Sequence, residues 1–481
     1  MDEIPTETDP NTLATDDDSD TERQSPDLSW TEYCGRFFFF DQYPHQHLES
    51  PLNVEILAQN QDLEISPADF NMLIDCARWE ISPPFYKPGR TAEIPFISVE
   101  TVRDRRMGSR RIGSYKIKGP GYIDHGIIRP PQAEQEYEPR FAGNRDTPET
   151  ARKNPRAVLA YMVFGEDGAI KSEVAEAPPK GGVTLEKAKA EYDNAMALSR
   201  KPVPAILPIA YGRYPGLSWC GKDMGFVITA VPDTNVFFRA AEYFGEAVWL
   251  GSEICANREV LLAALEGRFG QSTEGMRGVT IMKFMQEMNG VFGGSLRKYS
   301  EAGLGRYSGH PANYTYDFGI REAILHDFDT SLEIDSLPEK ARGLTIVRDV
   351  VSALWGIVQA TMFSMIHTMT TPEVFLRMNP FEALLRGYFG ENKLIREAGR
   401  IFTELLSQIL KKRPTTMDSV ATQNWYVESN TFFVENALGT TMLIFAEDPL
   451  NQKYPLPYKG DSRELRTNLE RYREERSRIT L

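Results

Sequence analysis

The hydrophobic pattern of the chain changes once, and this change limits the folds that the chain can adopt. Between residues 94 and 232, short β-branched or apolar runs are bounded by Gly and Pro, which is typical of strands. From residue 236 onward, apolar residues recur at the spacing of helices. The predicted strands cover residues 96–102, 113–118, 157–164, 169–175, 206–213 and 225–231, and the predicted helices cover 259–266, 281–288, 345–366, 381–410 and 463–478. This order predicts an α+β fold with a strand-rich first part and a helical second part.

One helix is predicted among the strands. Thr184 can cap it, because a threonine hydroxyl accepts from backbone N–H groups of the first turn. Apolar residues follow at near-helical spacing: Leu185, Ala188, Tyr192, Ala195 and Leu198. Glu191 flanks this apolar stripe. Glu186 lies in the first turn, where a carboxylate complements the helix dipole.

The two ends of the chain differ from its middle. Residues 1–28 form an acidic tail rich in Thr, Ser and Pro, which cannot bury enough apolar surface to fold, so disorder is predicted. Residues 29–94 carry no recognisable motif and are expected to form an N-terminal extension packed on the main body. Residues 441–481 end in a strongly charged helix, for which a solvated face is expected.

Charge and cysteine usage restrict the partners and the compartment. The net charge of −14 disfavours nucleic acid as a partner, because phosphate contacts require clustered Lys and Arg. The four cysteines form no CxxC pair, which favours a reducing compartment. The N-terminus is acidic and polar, and the apolar run at 350–366 is interrupted by Ser, Gln and Thr. We therefore expect a cytoplasmic protein that does not enter a membrane.

The most specific segment joins a loop to a strand end. Gly309-His310-Pro311-Ala312-Asn313 is followed by a turn at 317–319 and by the apolar run that delivers Asp327-Phe328-Asp329. Asn313 and Asp327 are 14 positions apart, and amide and carboxylate oxygens are ligands for hard divalent cations. The alternative interpretation is a turn Asn and a strand-terminal Asp without a ligand. The combination favours a site for a metal ion and a nucleoside triphosphate.

This segment resembles the catalytic and metal loops of the protein-kinase-like superfamily, in particular its aminoglycoside-phosphotransferase-like branch. There the pattern is HGDxHPxN, followed by a strand and DFD or DFG. The resemblance implies a two-lobed fold, with an N-lobe at 95–235 and a C-lobe at 236–440. It also implies that Asn313 and Asp327 hold Mg²⁺ or Mn²⁺, that Asp329 assists, and that His310 supports the loop.

The match has one chemical departure. Laid on HGDxHPxN, the chain reads Arg306-Tyr307-Ser308-Gly309-His310-Pro311-Ala312-Asn313, so Ser308 replaces the Asp that accepts the proton of the acceptor hydroxyl. A serine is not a carboxylate base. Asp317 is the nearby candidate for a replacement.

The selenoprotein O family of protein adenylyltransferases, which binds ATP in a flipped pose and transfers AMP, shares this loss. Its strand ending in LKGxG is similar to 115–121 (YKIKGPG), and its helix is similar to 186–198. The resemblance covers patches of residues 100–330. The selenocysteine or Cys near that family's C-terminus has no counterpart in this chain.

A lysine paired with a glutamate is expected at the phosphates, because an ammonium binds phosphate oxygens and a carboxylate fixes its position. Lys118 is the first candidate, with Gly119 and Gly121 allowing a close backbone approach. Lys171, 20 positions before Glu191, is the alternative. The resemblance favours Glu191 over Glu186 as the partner. A glycine hairpin over the phosphates between Gly108 and Gly113 is a further hypothesis, and Arg348-Asp349 is expected to support the helical lobe.

The predicted function is ATP- and metal-dependent transfer of AMP to a protein hydroxyl. Two alternatives remain open. A catalytically silent pseudokinase would bind nucleotide to organise a partner, and a small-molecule phosphotransferase would transfer phosphate. The catalytic prediction names Lys118, Glu191 and Asp327, and the nucleotide-binding prediction names Lys118, Gly119, Gly121 and Glu191.

Overall fold

A computed structural model describes residues 44–84, 91–95, 101–104, 108–124, 127–132, 160–174, 179, 181–219, 221–232, 277–306, 313–317, 322–363, 372–414, 419–458 and 462–480. The chain combines helices with antiparallel strands, in agreement with the predicted α+β class. The strands are, in chain order, β1 (Glu55–Gln59), β2 (Leu63–Glu64), β3 (Thr91–Pro95), β4 (Thr101–Asp104), β5 (Gly108–Lys118), β6 (Tyr122–Asp124), β7 (Ile127–Arg129), β8 (Ala160–Phe164), β9 (Ile170–Val174), β10 (Val183–Thr184), β11 (Leu207–Trp219), β12 (Lys222–Pro232), β13 (Leu304–Gly305), β14 (Tyr314–Asp317), β15 (Glu322–Leu325) and β16 (Leu332–Glu333). The helices are α1 (Pro67–Arg78), α2 (Leu185–Ser199), α3 (Arg277–Glu301), α4 (Glu339–Phe363), α5 (Pro372–Met378), α6 (Pro380–Phe389), α7 (Ile395–Lys411), α8 (Ser419–Ala446), α9 (Leu450–Lys453) and α10 (Ser462–Thr480).

Eight strands form one antiparallel sheet in the order β1-β11-β12-β5-β4-β2, with β10 on β12 and β3 on β5. The predicted N-terminal extension is part of this sheet, because β1 pairs with β11 and β3 pairs with β5. It also packs on the main body as expected, because Leu73, Cys76 and Ala77 of α1 are buried against the sheet. The predicted boundary at residue 94 falls inside β3, whose strand pairing continues across it.

The long strand β5 has two different faces. Ile112, Tyr115 and Ile117 are buried in an apolar cluster with residues of α1, β11 and β12. Lys116 and Lys118 are also buried but lie on the opposite face, because side chains alternate along a strand. This arrangement contradicts the hypothesis of a glycine hairpin, since Gly108 and Gly113 lie inside one continuous strand paired with β4 and β12.

Helix α2 confirms the predicted helix. The Thr184 hydroxyl accepts from the backbone N–H of Lys187 at 3.4 Å, as the cap predicts. The buried residues are Ala188, Glu191, Tyr192, Ala195 and Leu198. Glu191 is thus inside the protein, whereas Glu186 in the first turn is exposed.

The second core lies among the helices. Helix α4 lies within it, and Leu344, Val347 and Leu354 are fully buried. In the part of the chain that the structure describes, Glu339–Met362 is long and apolar enough to cross a membrane, and 83% of its most apolar window is buried inside the protein. The predicted helix at 381–410 is two helices, α6 and α7. Gly390 has φ +69° and ends α6, a backbone conformation that glycine adopts without steric cost.

The C-terminal segment packs on the hairpin of β8 and β9. The turn at 166–168 joins these strands. Tyr458 donates to the Gly168 carbonyl at 2.7 Å, and the Asn468 amide donates to the Tyr458 hydroxyl at 2.8 Å. Tyr472 of α10 is buried. The charged helix therefore has a buried face in addition to the expected solvated one, on which Glu464, Arg466 and Glu470 are exposed. The predicted boundary at residue 440 falls inside α8.

Candidate functional site

A lysine at the end of β5 meets a glutamate of α2. The Lys118 ammonium donates to the Glu191 carboxylate at 2.7 Å, and both side chains are more than 90% buried. The 73 positions between them include β6–β9, so the sheet and the helix come together across an insertion. The structure thus brings the predicted pair together. The alternative, Lys171, is exposed on β9, which belongs to a separate hairpin.

Two aspartates approach the same ammonium from the helical part. The Lys118 Nζ lies 3.4 Å from Asp327 Oδ1 and 3.3 Å from Asp329 Oδ2. The Asp327 side chain is 26% exposed and the Asp329 side chain 9%, so Asp327 is the more open to a ligand. One ammonium therefore faces three carboxylates.

Two features determine the electrostatics of this cluster: its burial, and the presence of three carboxylates at one ammonium. Burial raises the pKa of Glu191, and the Asp327 and Asp329 carboxylates raise it further, while Lys118 opposes the rise. An additional cation near the aspartates would lower the electrostatic cost of keeping all three carboxylates ionised.

Asp327 has a backbone conformation that few residues adopt. Its φ is +55°, in the left-handed region that Asp and Asn tolerate better than other side-chain-bearing residues. The next residue, Phe328, is fully buried, and the Asn194 amide of α2 donates to its carbonyl at 2.9 Å. Such conformations persist where surrounding contacts determine them, and they are concentrated at functional sites.

Asn313 lies next to this segment. Its carbonyl accepts from the His326 N–H at 2.8 Å, and its side chain is partly exposed. Strands β14 and β15 follow Asn313 and pair with each other, which agrees with the predicted apolar strand before Asp327. Residues 318 and 319 of the predicted turn lie outside the described residues. His310 and Ser308 lie outside the described residues.

Arg306 joins the segment at Asn313 to the segment at Asp327. It was not among the site residues predicted from the sequence. It is fully buried, and its guanidinium donates to the carbonyls of Asn313 and His326. The guanidinium also lies 5.5 Å from the centre of the Phe328 ring. Burial lowers the pKa of Arg306, and Asp327, Asp329 and other neighbouring acidic groups oppose this shift. The available sequence signal was its place at the first position of the HGDxHPxN alignment.

Arg348 and Asp349, which were predicted to support the helical lobe, lie next to Arg306. Asp349 of α4 is 1% exposed and accepts from the backbone N–H of Arg306, while Arg348 donates to the same carboxylate. A core helix thus holds the beginning of the loop that leads to Asn313.

Gly119 and Gly121 follow Lys118 with φ values of +103° and +144°. A Cβ at Gly119 would lie 2.7 Å from the Gly225 carbonyl, and one at Gly121 would collide with the Arg129 carbonyl. The close approach predicted for these glycines is therefore made to the protein's own backbone. Their contact with a nucleotide stays a prediction.

Whether a metal ion can bind at this site depends on the side chains that supply ligand atoms. Among the described residues, no group of three or more His, Cys, Asp and Glu side chains is arranged to hold one. Side-chain oxygens of Asp327 and Asp329 lie at Lys118, and the Asn313 amide is the third predicted ligand. Mg²⁺ is commonly bound by one or two carboxylates, with water and phosphate oxygens completing the shell, so the chemistry of these donors fits a divalent metal ion, whose binding stays a prediction.

Comparison of the sequence with models of known protein families and with curated proteins gives no match. The geometry around Lys118 is therefore the main indication of function.

Proposed function

We propose that the chain is a metal- and nucleotide-dependent transferase of kinase-like fold, which transfers AMP from ATP to a protein hydroxyl. In this proposal, the eight-stranded sheet with α2 is the N-lobe, and the helical part with the β14–β15 hairpin is the C-lobe. The predicted Lys118, Glu191, Asp327 and Asp329 meet where the two parts contact each other.

The single observation that carries the proposal is the meeting of Lys118 with carboxylates from two parts of the chain. Glu191 of α2 lies 2.7 Å from its ammonium, and Asp327 and Asp329, which follow β15, lie within 3.4 Å. Arg306 also acts on the two aspartates, and Asp349 lies beside both Arg306 and Arg348. Desolvation of several charges is costly, and a buried charged cluster with only a structural role can often be replaced by apolar residues without loss of stability. A divalent cation that binds at the aspartates during function explains the presence of this cluster.

Each side chain then has a role that follows from its position. Lys118 is held by Glu191 and binds phosphate oxygens as a point charge. Asp327, Asp329 and Asn313 would hold Mg²⁺ or Mn²⁺, which when bound neutralises charge on the phosphate oxygens. The left-handed backbone at Asp327 directs its carboxylate toward the same point as Lys118.

The sequence supports AMP transfer over phosphate transfer because Ser308 stands where a kinase has its carboxylate base. In the proposed step, the acceptor hydroxyl oxygen forms a bond to the α-phosphorus. The bond from that phosphorus to the bridging oxygen breaks, pyrophosphate leaves, and the hydroxyl proton passes to water. The same serine also favours a second candidate, a silent pseudokinase that binds nucleotide without transfer.

The test uses ATP labelled on either the α or the γ phosphate, incubated with the full chain and Mn²⁺. The proposal predicts label on protein from the α position alone, and its loss in Asp327→Asn. Lys171→Met is the matched control, because it removes an exposed lysine of the other hairpin and is expected to retain transfer. Label from the γ position would indicate a kinase, and nucleotide binding without transfer to any acceptor would favour the pseudokinase.

A further inference from the structure

A second buried lysine lies on the same face of β5 as Lys118. Lys116 is 5% exposed, and its ammonium lies 3.3 Å from Nδ1 of His326 and 3.7 Å from the Glu93 carboxylate. The Ser114 hydroxyl donates to the other oxygen of Glu93 at 2.7 Å. The role proposed for Lys118 does not involve this group of side chains. The group connects the sheet directly to His326, the residue that precedes Asp327.

The His326 ring is bonded on both sides. Its Nε2 lies 2.7 Å from the hydroxyl of Thr315 on β14, and both residues are 1% exposed. A lysine ammonium can only donate, so Nδ1 accepts from Lys116. The neutral ring then carries its proton on Nε2 and donates to Thr315. The sheet and the hairpin therefore hold one imidazole from opposite edges.

The backbone of His326 is held as well. Its N–H donates to the Asn313 carbonyl at 2.8 Å, and its own carbonyl accepts from Arg306. All four polar groups of His326 thus have partners immediately before the left-handed turn at Asp327. Rotation of this residue would move the Asp327 carboxylate away from Lys118, because the two residues are adjacent in the chain.

We propose that His326 is a positioning residue that fixes Asp327 for metal binding by bridging Lys116 of the sheet and Thr315 of the β14–β15 hairpin. The inference rests on the proposed metal role of Asp327. Partners that orient a ligand without touching the metal typically change metal affinity by about 10–100-fold when removed.

Thr315→Val is the most direct variant, because it removes one hydrogen bond and leaves no buried charge unpaired. The probe is Mn²⁺ alone, titrated into the full chain and followed by its electron paramagnetic resonance signal. Thr315→Val is expected to weaken Mn²⁺ binding by about 10-fold. Thr315→Ser, which restores the hydroxyl, is expected to bind within about twofold of the wild type.

Thr361→Val is the matched control for the loss of a buried hydroxyl. Thr361 is 1% exposed and donates to the Ile357 carbonyl at 2.8 Å within α4. Its replacement costs a similar hydrogen bond and is expected to leave Mn²⁺ affinity unchanged. Thermal unfolding of all three variants checks that each is folded.

The outcomes separate the two proposals. Equal Mn²⁺ affinity in Thr315→Val and the wild type would overturn the positioning role while leaving the proposed function intact. Equal weakening in Thr315→Val and Thr361→Val would also overturn it, since a general loss of stability would then explain the effect. A folded wild type that binds no Mn²⁺ would contradict the proposed metal site, and the positioning role would fall with it.

Discussion

The two faces of strand β5 bury similar numbers of side chains for different reasons. On one face, Tyr115 and Ile117 pack in the apolar cluster beneath the sheet. On the other, Lys116 and Lys118 enter a network of carboxylates and one imidazole. The alternation of the strand places these residues one after another, so the local backbone is the same and only the surroundings differ.

The two faces of β5 separate residues that contribute to stability from residues that contribute to ligand chemistry. Burial of an apolar side chain contributes about 1.5–3 kcal/mol to folding. Burial of an ammonium among three carboxylates requires the desolvation of every charge, and the attraction between them does not reliably exceed that cost. The apolar face is therefore expected to control unfolding, and the charged face is expected to control ligand binding.

The largest expected effect tests the apolar face. Ile117→Ala deletes buried methyl groups and leaves a cavity, so the free energy of unfolding should fall by about 2–5 kcal/mol. Chemical denaturation measures this change. A folded Ile117→Ala variant that has lost nucleotide binding but keeps the stability of the wild type would contradict the distinction between the two faces of β5.

Lys118→Met tests the charged face. Removal of a fixed electrostatic donor typically lowers turnover by about 10²–10³-fold. The initial rate of α-phosphate transfer measures the effect, with Lys171→Met at the wild-type rate. The reverse result, in which Lys171→Met is the inactive variant, would favour Lys171 as the lysine that binds the phosphates.

Gly119→Ala tests the turn that ends β5. Its φ of +103° and the nearby Gly225 carbonyl leave no room for a Cβ, so we expect a loss of about 1–3 kcal/mol in unfolding free energy. Gly221→Ala is a useful control, because it also has a positive φ of +73° but no atom within 4 Å of its Cβ position. Equal losses in the two variants would mean that the φ value alone determines the cost.

The smallest expected effect has the opposite sign. Asp327→Asn removes one of three like charges at Lys118 and keeps a side chain that tolerates a positive φ. In the presence of a chelator, unfolding free energy should rise by about 0.5 kcal/mol while Mn²⁺ binding is lost. A clear fall in stability without metal would indicate that Asp327 has a structural role at Lys118.

Local signals predicted the parts of the site that depend on local sequence. The cap at Thr184 and the apolar stripe of α2 located Glu191, and the apolar run before Asp327 located a strand end. Gly390 was visible inside the predicted helix at 381–410, and glycine commonly ends a helix in the left-handed conformation that it has here. The single-helix prediction did not use this signal and was wrong.

Contacts between distant residues could not be predicted from pattern. Lys116 and His326 are 210 positions apart, and the family resemblance gives neither of them a role. The role of Arg306 depends on the carbonyls of Asn313 and His326, which converge only when the β14–β15 hairpin forms and packs on α3. The Lys118–Glu191 pair was predicted across 73 positions because the segments at 115–121 and 186–198 resemble the strand and helix that carry such a pair in the selenoprotein O family.

The central claim is that the cluster at Lys118 binds a metal–nucleotide complex. Calorimetric titration of Mn²⁺ and a non-hydrolysable ATP analogue into the wild type and Asp327→Asn tests it most directly. The account predicts that the wild type binds the analogue only in the presence of Mn²⁺, and that the variant binds it about 10-fold or more weakly. Binding that is absent from the folded wild type, or equal in the two proteins, would contradict it.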